Sequence, residues 1–289
     1  MPVDLYRSSN HRCVAFNDLV RGEDGVQANQ FLVLHDEYSA LIDPGGALLY
    51  TPVSMAVGRY LPLKQLTYIF ASHQDPDVIG SADRWLMYTN ATICCSRLWG
   101  RFVPHSVPHY MDAGGQDRYL LIPDEGVDIP FGSSVLRALP AHFLHSVGNF
   151  QFYDPISKIL FSGDLAASMV DEFSPVEGKA AFDAHVGSMA GFHRRYMASN
   201  RACRVWADMA RGLDISMIVP QHGRPIAGKE AVTAFIDWLE NLECGVDLLT
   251  GPGQFASRGM PAAAAAPRPV AALRSAPNPG ASDPFRRFS

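Results

Sequence analysis

Apolar positions in the first third of the chain fall in short runs separated by polar or Gly-containing stretches. Val14–Phe16, Phe31–His35 and Ala40–Ile42 read as strands of an antiparallel meander. Asp43-Pro44-Gly45-Gly46 breaks the last of them, and a helix-compatible stretch follows to about Tyr60. Leu66–Ala71 (LTYIFA) is apolar almost throughout, the pattern of a strand buried on both faces. It runs directly into SHQDPDVIGS, after which Ser81–Tyr88 has helical spacing. A polar loop at the end of a buried strand is where α/β proteins place their chemistry.

A second strand-rich block covers Tyr119–Phe161. Within it Ser134–Leu139, Asn149–Tyr153 and Lys158–Phe161 are predicted strands, and Tyr153-Asp154-Pro155 starts a hairpin turn. Met189–Leu213 reads as one long helix, Ile215–Val219 as a short buried strand, and Ala231–Leu248 as an amphipathic closing helix. Strands and helices repeated in two similar halves predict an α/β fold with a sheet-on-sheet core flanked by helices, an αββα sandwich.

Composition narrows the function classes. With 47% hydrophobic residues over 289 positions, the chain can bury a core and is not disordered as a whole. A net charge of −5 gives no general reason to bind nucleic acid or an anionic membrane. No stretch approaches the roughly 20 apolar residues of a membrane span. The N-terminus, MPVDLYRSSNHRCVAF, lacks the order of a signal peptide, so the expected location is cytoplasmic. From Pro252 onward seven of the 21 prolines are concentrated, with five arginines against one aspartate, so this tail is +4 and the rest −9. The expected organisation is a folded domain over 1–250 and a disordered Pro/Ala/Arg-rich tail over 251–289. Five cysteines with no CxxC spacing imply neither a disulfide framework nor a zinc-finger-type site, and Cys94 and Cys95 read as small buried hydrophobes.

His73, Asp75 and Asp77 are spaced two apart in the loop after Leu66–Ala71. In a locally extended stretch these alternate side chains share a direction, and Pro76 holds Asp75 out of the helical region. An imidazole with two carboxylates suits iron, zinc or manganese, although Asp and His are also common in ordinary turns. Three further candidates end short apolar strands: His145 in AHFLHSVGN, Asp164 in ILFSGDL and His222 in IVPQHG. Each alone has a plain explanation, a turn-capping Asp or a backbone-bonded His. Together the six match the ligand number of a two-metal site.

The order SHQDPDV, LHSVGN, FSGD, PQHG resembles the metallo-β-lactamase fold superfamily over residues from about 30 to 225. Within it the chain resembles the diiron domain of flavodiiron proteins, and more closely stand-alone oxygen-binding diiron proteins. Hydrolases of the superfamily show H-x-H-x-D-H and flavodiiron domains H-x-E-x-D-H, whereas this chain reads His73-Gln74-Asp75-Pro76-Asp77-Val78. Asp75 is thus a carboxylate of the flavodiiron type with one methylene less, and Val78 stands where both patterns end in histidine. The resemblance implies two iron ions (Fe2+/Fe3+), with zinc or manganese as alternatives. One would be held by His73, Asp75 and His145, the other by Asp77 and His222, with Asp164 bridging. Three carboxylates against two ferrous ions leave a surplus of positive charge that favours an anionic oxygen ligand. His142 lies three before His145, but only His145 precedes the S-V-G-N of the family loop. His105 and His109 read as loop residues, while His185 and His193 are candidates to support a ligand or to fill the vacancy at the second metal, although most such histidines are surface or hydrogen-bonded residues.

The leading expectation is a non-haem diiron protein that binds dioxygen, reversibly or as a stable peroxo adduct, as a sensor or carrier feeding a chemotaxis or other signalling partner. No Gly-rich phosphate loop follows Thr250, so no flavodoxin-like electron donor is expected in the chain. The alternative is an oxidoreductase, an oxygen or nitric oxide reductase served by an external flavoprotein. A zinc-dependent hydrolase is a third reading, which Asp75 and Val78 oppose. Family likeness also implies a homodimer.

Overall fold

Period-two alternation along the strands sorts the interior into layers. The computed structural model describes residues 2–20, 26–106 and 116–249. Its first sheet comprises β1 (Val3–Arg7), β2 (His11–Phe16), β3 (Gln30–His35), β4 (Tyr38–Ile42), β5 (Tyr68–Phe70), β6 (Thr92–Ser96) and β7 (Tyr119–Ile122), adjacent in that order. The meander β1 to β4 is antiparallel, as expected, and β4 to β7 pair in parallel. The second sheet comprises β8 (Val127–Phe131), β9 (Ser134–Pro140), β10 (Phe150–Asp154), β11 (Ile159–Phe161), β12 (Val176–Glu177), β13 (Met217–Val219) and β14 (Ile226–Ala227). Their spatial order is β12-β14-β13-β11-β10-β9-β8.

Cys13, Ala15, Phe31, Val33, Ala40, Ile42 and Phe70 of the first sheet pack against Phe150, Phe152, Ile159, Phe161 and Val219 of the second. The intervening positions, Val14, Phe16, Leu32, Leu41 and Ile69, face the other way. They bury Leu49 and residues of α1 (Tyr50–Val57) and α3 (Ala82–Tyr88), including Val53 and Trp85. Tyr153, Leu160 and Ile218 do the same beneath α4 (Lys179–Tyr196), α5 (Asn200–Arg211) and α6 (Lys229–Glu240), meeting Phe182, Trp206 and Phe235. The layers are therefore helix, sheet, sheet, helix. Each fully buried Phe of the central layer contributes about 1.5–3 kcal/mol of transfer free energy.

Four expectations need correction. Met189–Leu213 is not one helix, because α4 ends at Tyr196 and Ser199 caps a new helix by accepting from the Ala202 N–H. Ala231–Leu248 is α6 only to Glu240, and a separate short turn, Gly245–Leu248, follows a Gly245 at φ +54°. Tyr119–Ile122 belongs to the first sheet rather than to the second block, pairing in parallel with β6. Asp77 is not extended, since Pro76 opens a short helix, α2 (Pro76–Ile79), at the position where a missing N–H costs nothing. The expected tail and His109 lie outside the described residues. Among those residues no helix is long and apolar enough to cross a membrane.

Candidate metal centre

Loops from the ends of both sheets bring all six expected residues together. The chain leaves β4 at Asp43, whose carboxylate accepts from the Ser72 N–H at 2.8 Å and from the Ser72 hydroxyl at 3.1 Å. With its single hydrogen given to Asp43, the Ser72 oxygen accepts from His73 Nδ1–H at 2.9 Å. His73 is thereby fixed as the tautomer with a bare Nε2, which is buried without a hydrogen-bond partner. That nitrogen lies 3.6 Å from Asp75 Oδ2 and 3.8 Å from Asp164 Oδ2.

His145 reaches the same place from the loop between β9 and β10, with Nε2 3.0 Å from Asp164 Oδ2 and 3.6 Å from Asp75 Oδ2. Ligand atoms of His73, Asp75 and His145 all fall within 4.8 Å of one another. The ring of His145 packs edge-on against Tyr196 of α4, centroids 5.6 Å apart.

The short helix α2 turns Asp77 away from this trio and towards His222, which follows β13. His222 donates Nδ1–H to the Gln27 carbonyl at 2.7 Å, leaving Nε2 3.3 Å from Asp77 Oδ2 and 3.5 Å from Asp164 Oδ1. Asp164, after β11, thus stands between two groups. Its Oδ2 faces His73 and His145, and its Oδ1 faces His222.

Electrostatics follow from this crowding. Burial alone would raise Asp164, but hydrogen bonding from His145 and the charges of His73 and His222 hold its pKa down at about 2. Burial opposes charge on His222, yet Asp77 and Asp164 outweigh it and lift its pKa to about 9. His73 is raised for the same reason, burial being overcome by Asp75, Asp164 and Asp43. Asp75 is lowered, first by the neighbouring His73 imidazole. The site is rich in carboxylate, and those carboxylates raise the pKa of His73 and His222 against the effect of burial.

Supporting residues such as Asp43 and Gln74 escaped the sequence reading. Asp43 was read there only as a strand breaker, whereas burial pushes its carboxyl up to about 6 and its bonds orient His73 through Ser72. Gln74 accepts from the Ser146 hydroxyl at 2.6 Å and donates to Asp75 Oδ1 at 3.1 Å, linking the His73 and His145 loops. An Asp ending a buried strand was a signal for the first; nothing in the sequence marked the second.

Other histidines stand apart. His142 donates Nε2–H to the Asp124 carbonyl at 2.8 Å. His193 is satisfied on both nitrogens, by Met189 O and by the Ala166 N–H. His105 is exposed. His185 bonds Ser188 through Nδ1, and its Nε2 is buried and unpartnered. Val78 packs fully buried in the apolar cluster beneath α1. Asp77 also borders an apolar cavity of about 780 Å³ walled by Leu19, Val20, Leu48, Leu49 and Met55.

The model of the ODP family beta lactamase matches residues 26–223, more than half of the chain. This chain belongs to that family. A structure of the peroxy diiron species of the chemotaxis sensor ODP is 38% identical, with a TM-score of 0.75 over 86% of this chain and 97% of that one. The apo state of chemotaxis sensor ODP from T. denticola is likewise 38% identical, with a TM-score of 0.73 over the same shares. The flavodiiron protein from Giardia intestinalis shares the fold, at 19% identity and a TM-score of 0.65 over 82% of this chain and 59% of that one. A putative diflavin flavoprotein A 4 from Synechocystis sp. is 28% identical over 207 residues, 69% of this chain. The ODP family chain spans about a third of that curated relative, 32% of its length.

Proposed function

We propose that this chain holds two iron ions between its site loops, binds dioxygen there, and acts as an oxygen sensor or carrier. The supporting observation is Asp164, whose two oxygens face different histidine groups, the arrangement a bridging carboxylate requires. The donor set fits a pair of cations. His73 Nε2 and Asp164 Oδ1 are buried without hydrogen-bond partners, and the carboxylates raise two imidazoles that a cation would deprotonate.

In this reading His73, Asp75 and His145 hold one ion, Asp77 and His222 the other, and Asp164 both. Nitrogen and carboxylate oxygen, with no thiolate, favour iron or manganese over a sulfur-rich zinc site. When bound, the iron pair would supply the electrons for dioxygen binding. The residues do the rest. Ser72 and the Gln27 carbonyl fix the tautomers of His73 and His222, so that each presents Nε2. Three carboxylates leave a surplus of positive charge that favours an anionic oxygen ligand.

The 38%-identical relative is a chemotaxis sensor, which supports a signalling protein as partner here. A homodimer in the cytoplasm completes the proposal. Metal analysis of protein from iron-replete cells tests it: about two irons per chain are expected, and about two zincs with no iron would overturn it.

A further inference from the structure

Away from the metal centre, Cys203 and Cys244 lie with sulfurs 3.7 Å apart, both fully buried. Cys203 sits in the first turn of α5. Cys244 immediately precedes the turn Gly245–Leu248, and its N–H bonds the Asp247 carboxylate, which also accepts from the Asn200 N–H at 2.5 Å. Backbone on both sides is therefore tied together independently of the sulfurs. A disulfide has S–S near 2.05 Å, so closure asks for an approach of about 1.7 Å. Cys94 and Cys95, although adjacent, belong to opposite faces of β6, one in the layer between the sheets and the other beneath the helices.

We propose that Cys203 and Cys244 form a modification site, a dithiol that hydrogen peroxide closes to a disulfide. The two sulfurs are close enough to share one S–H hydrogen, with either as donor. Either sulfur, once deprotonated, can be the attacking group. Its thiolate takes one oxygen of the peroxide, and with one proton gives a sulfenic acid and water. The other sulfur then attacks that sulfenic sulfur, and the oxygen it carries leaves as water. Two thiols and one peroxide become one disulfide and two waters. An apolar cavity of about 710 Å³ is walled in part by Ala202 and Val246, chain neighbours of the pair, and the two sulfurs lie behind that wall.

Closure would clamp a segment that backs the metal centre. The Val246 N–H donates to Ala198 O at 2.9 Å, and the Ala198 N–H donates to Phe143 O at 3.1 Å, two residues before His145. A Cβ at Gly245 would collide with the carbonyls of Met197 and Ala198, so the turn has no slack.

The test treats the full chain, as isolated and in buffer that chelates stray iron, with stoichiometric hydrogen peroxide. It is followed by acid quenching, alkylation and peptide mass spectrometry. The expected result is loss of two free thiols, a Cys203–Cys244 cross-linked peptide reversed by dithiothreitol, and slower amide exchange at Ala198 and Val246. In Cys203→Ser the link should vanish and dimedone should trap a sulfenic acid at Cys244. Five thiols remaining free, or oxidation confined to Cys13, Cys94 or Cys95, would overturn the proposal without bearing on iron binding.

Discussion

Oδ2 of Asp164 lies 3.0 Å from Nε2 of His145, although the two residues come from loops on either side of the β10–β11 hairpin. The other oxygen of the same carboxylate faces His222. One buried side chain therefore joins the halves of the site, and its removal should uncouple them. Asp164→Ala is expected to lower bound iron from about two per chain to one or fewer, measured by elemental analysis. Retention of both ions would show that another group bridges.

Support for the ligands should matter as well as the ligands themselves. Ser72→Ala removes the oxygen that accepts from His73 Nδ1 and the hydroxyl that donates to buried Asp43. Stability should fall by about 1–3 kcal/mol in denaturant unfolding, and metal affinity by roughly 10–100-fold in competition with a chelator. An unchanged affinity would mean that His73 is held by its own packing.

Gln74→Ala cuts the path from Ser146 to Asp75 while leaving every proposed ligand in place. Metal should be lost roughly tenfold faster to a chelator, with little change in metal-free stability.

The metal-free chain should be pH-sensitive in a direction set by its histidines. His222 has a pKa of about 9 when folded and an ordinary value of 6.5, so its contribution is complete below 6.5 and is lost as pH rises through about 9. That contribution is about 3 kcal/mol, shared with Asp77 and Asp164 rather than added to theirs. Asp164, depressed to about 2, acts in the opposite sense: its contribution is present above 3.8 and lost as pH falls through about 2. Thermal melts of chelator-treated protein should therefore show falling midpoints between pH 6.5 and 9. Iron affinity should rise over the same window as ligand protons leave. A midpoint that climbs with pH would contradict the site electrostatics.

Much of this arrangement was legible in the chain because each ligand candidate closes a short apolar run. His73, His145, Asp164 and His222 could be placed at strand ends without knowing how the strands pair. The two-sheet core was legible for the same reason, since β3, β4 and β10 carry alternation or continuous apolarity strong enough to read. What escaped was local geometry that depends on one residue. Pro76 starts a helix instead of extending the loop, so Asp77 reaches His222, its expected partner, from a helical turn rather than from an extended stretch. Ser199 caps a new helix inside a stretch whose apolar spacing runs on unbroken. Gln74 and Ser72 are ordinary loop residues by composition, and only their contacts across loops give them a role.

The most direct test exposes the reduced, iron-loaded chain to oxygen and follows its optical spectrum together with dissolved oxygen. A dioxygen-binding centre should give a long-lived new absorption band and take up about one oxygen per iron pair, without further consumption when a flavoprotein reductase is added. Rapid bleaching with sustained, reductase-driven oxygen consumption would contradict the account and make the protein a reductase.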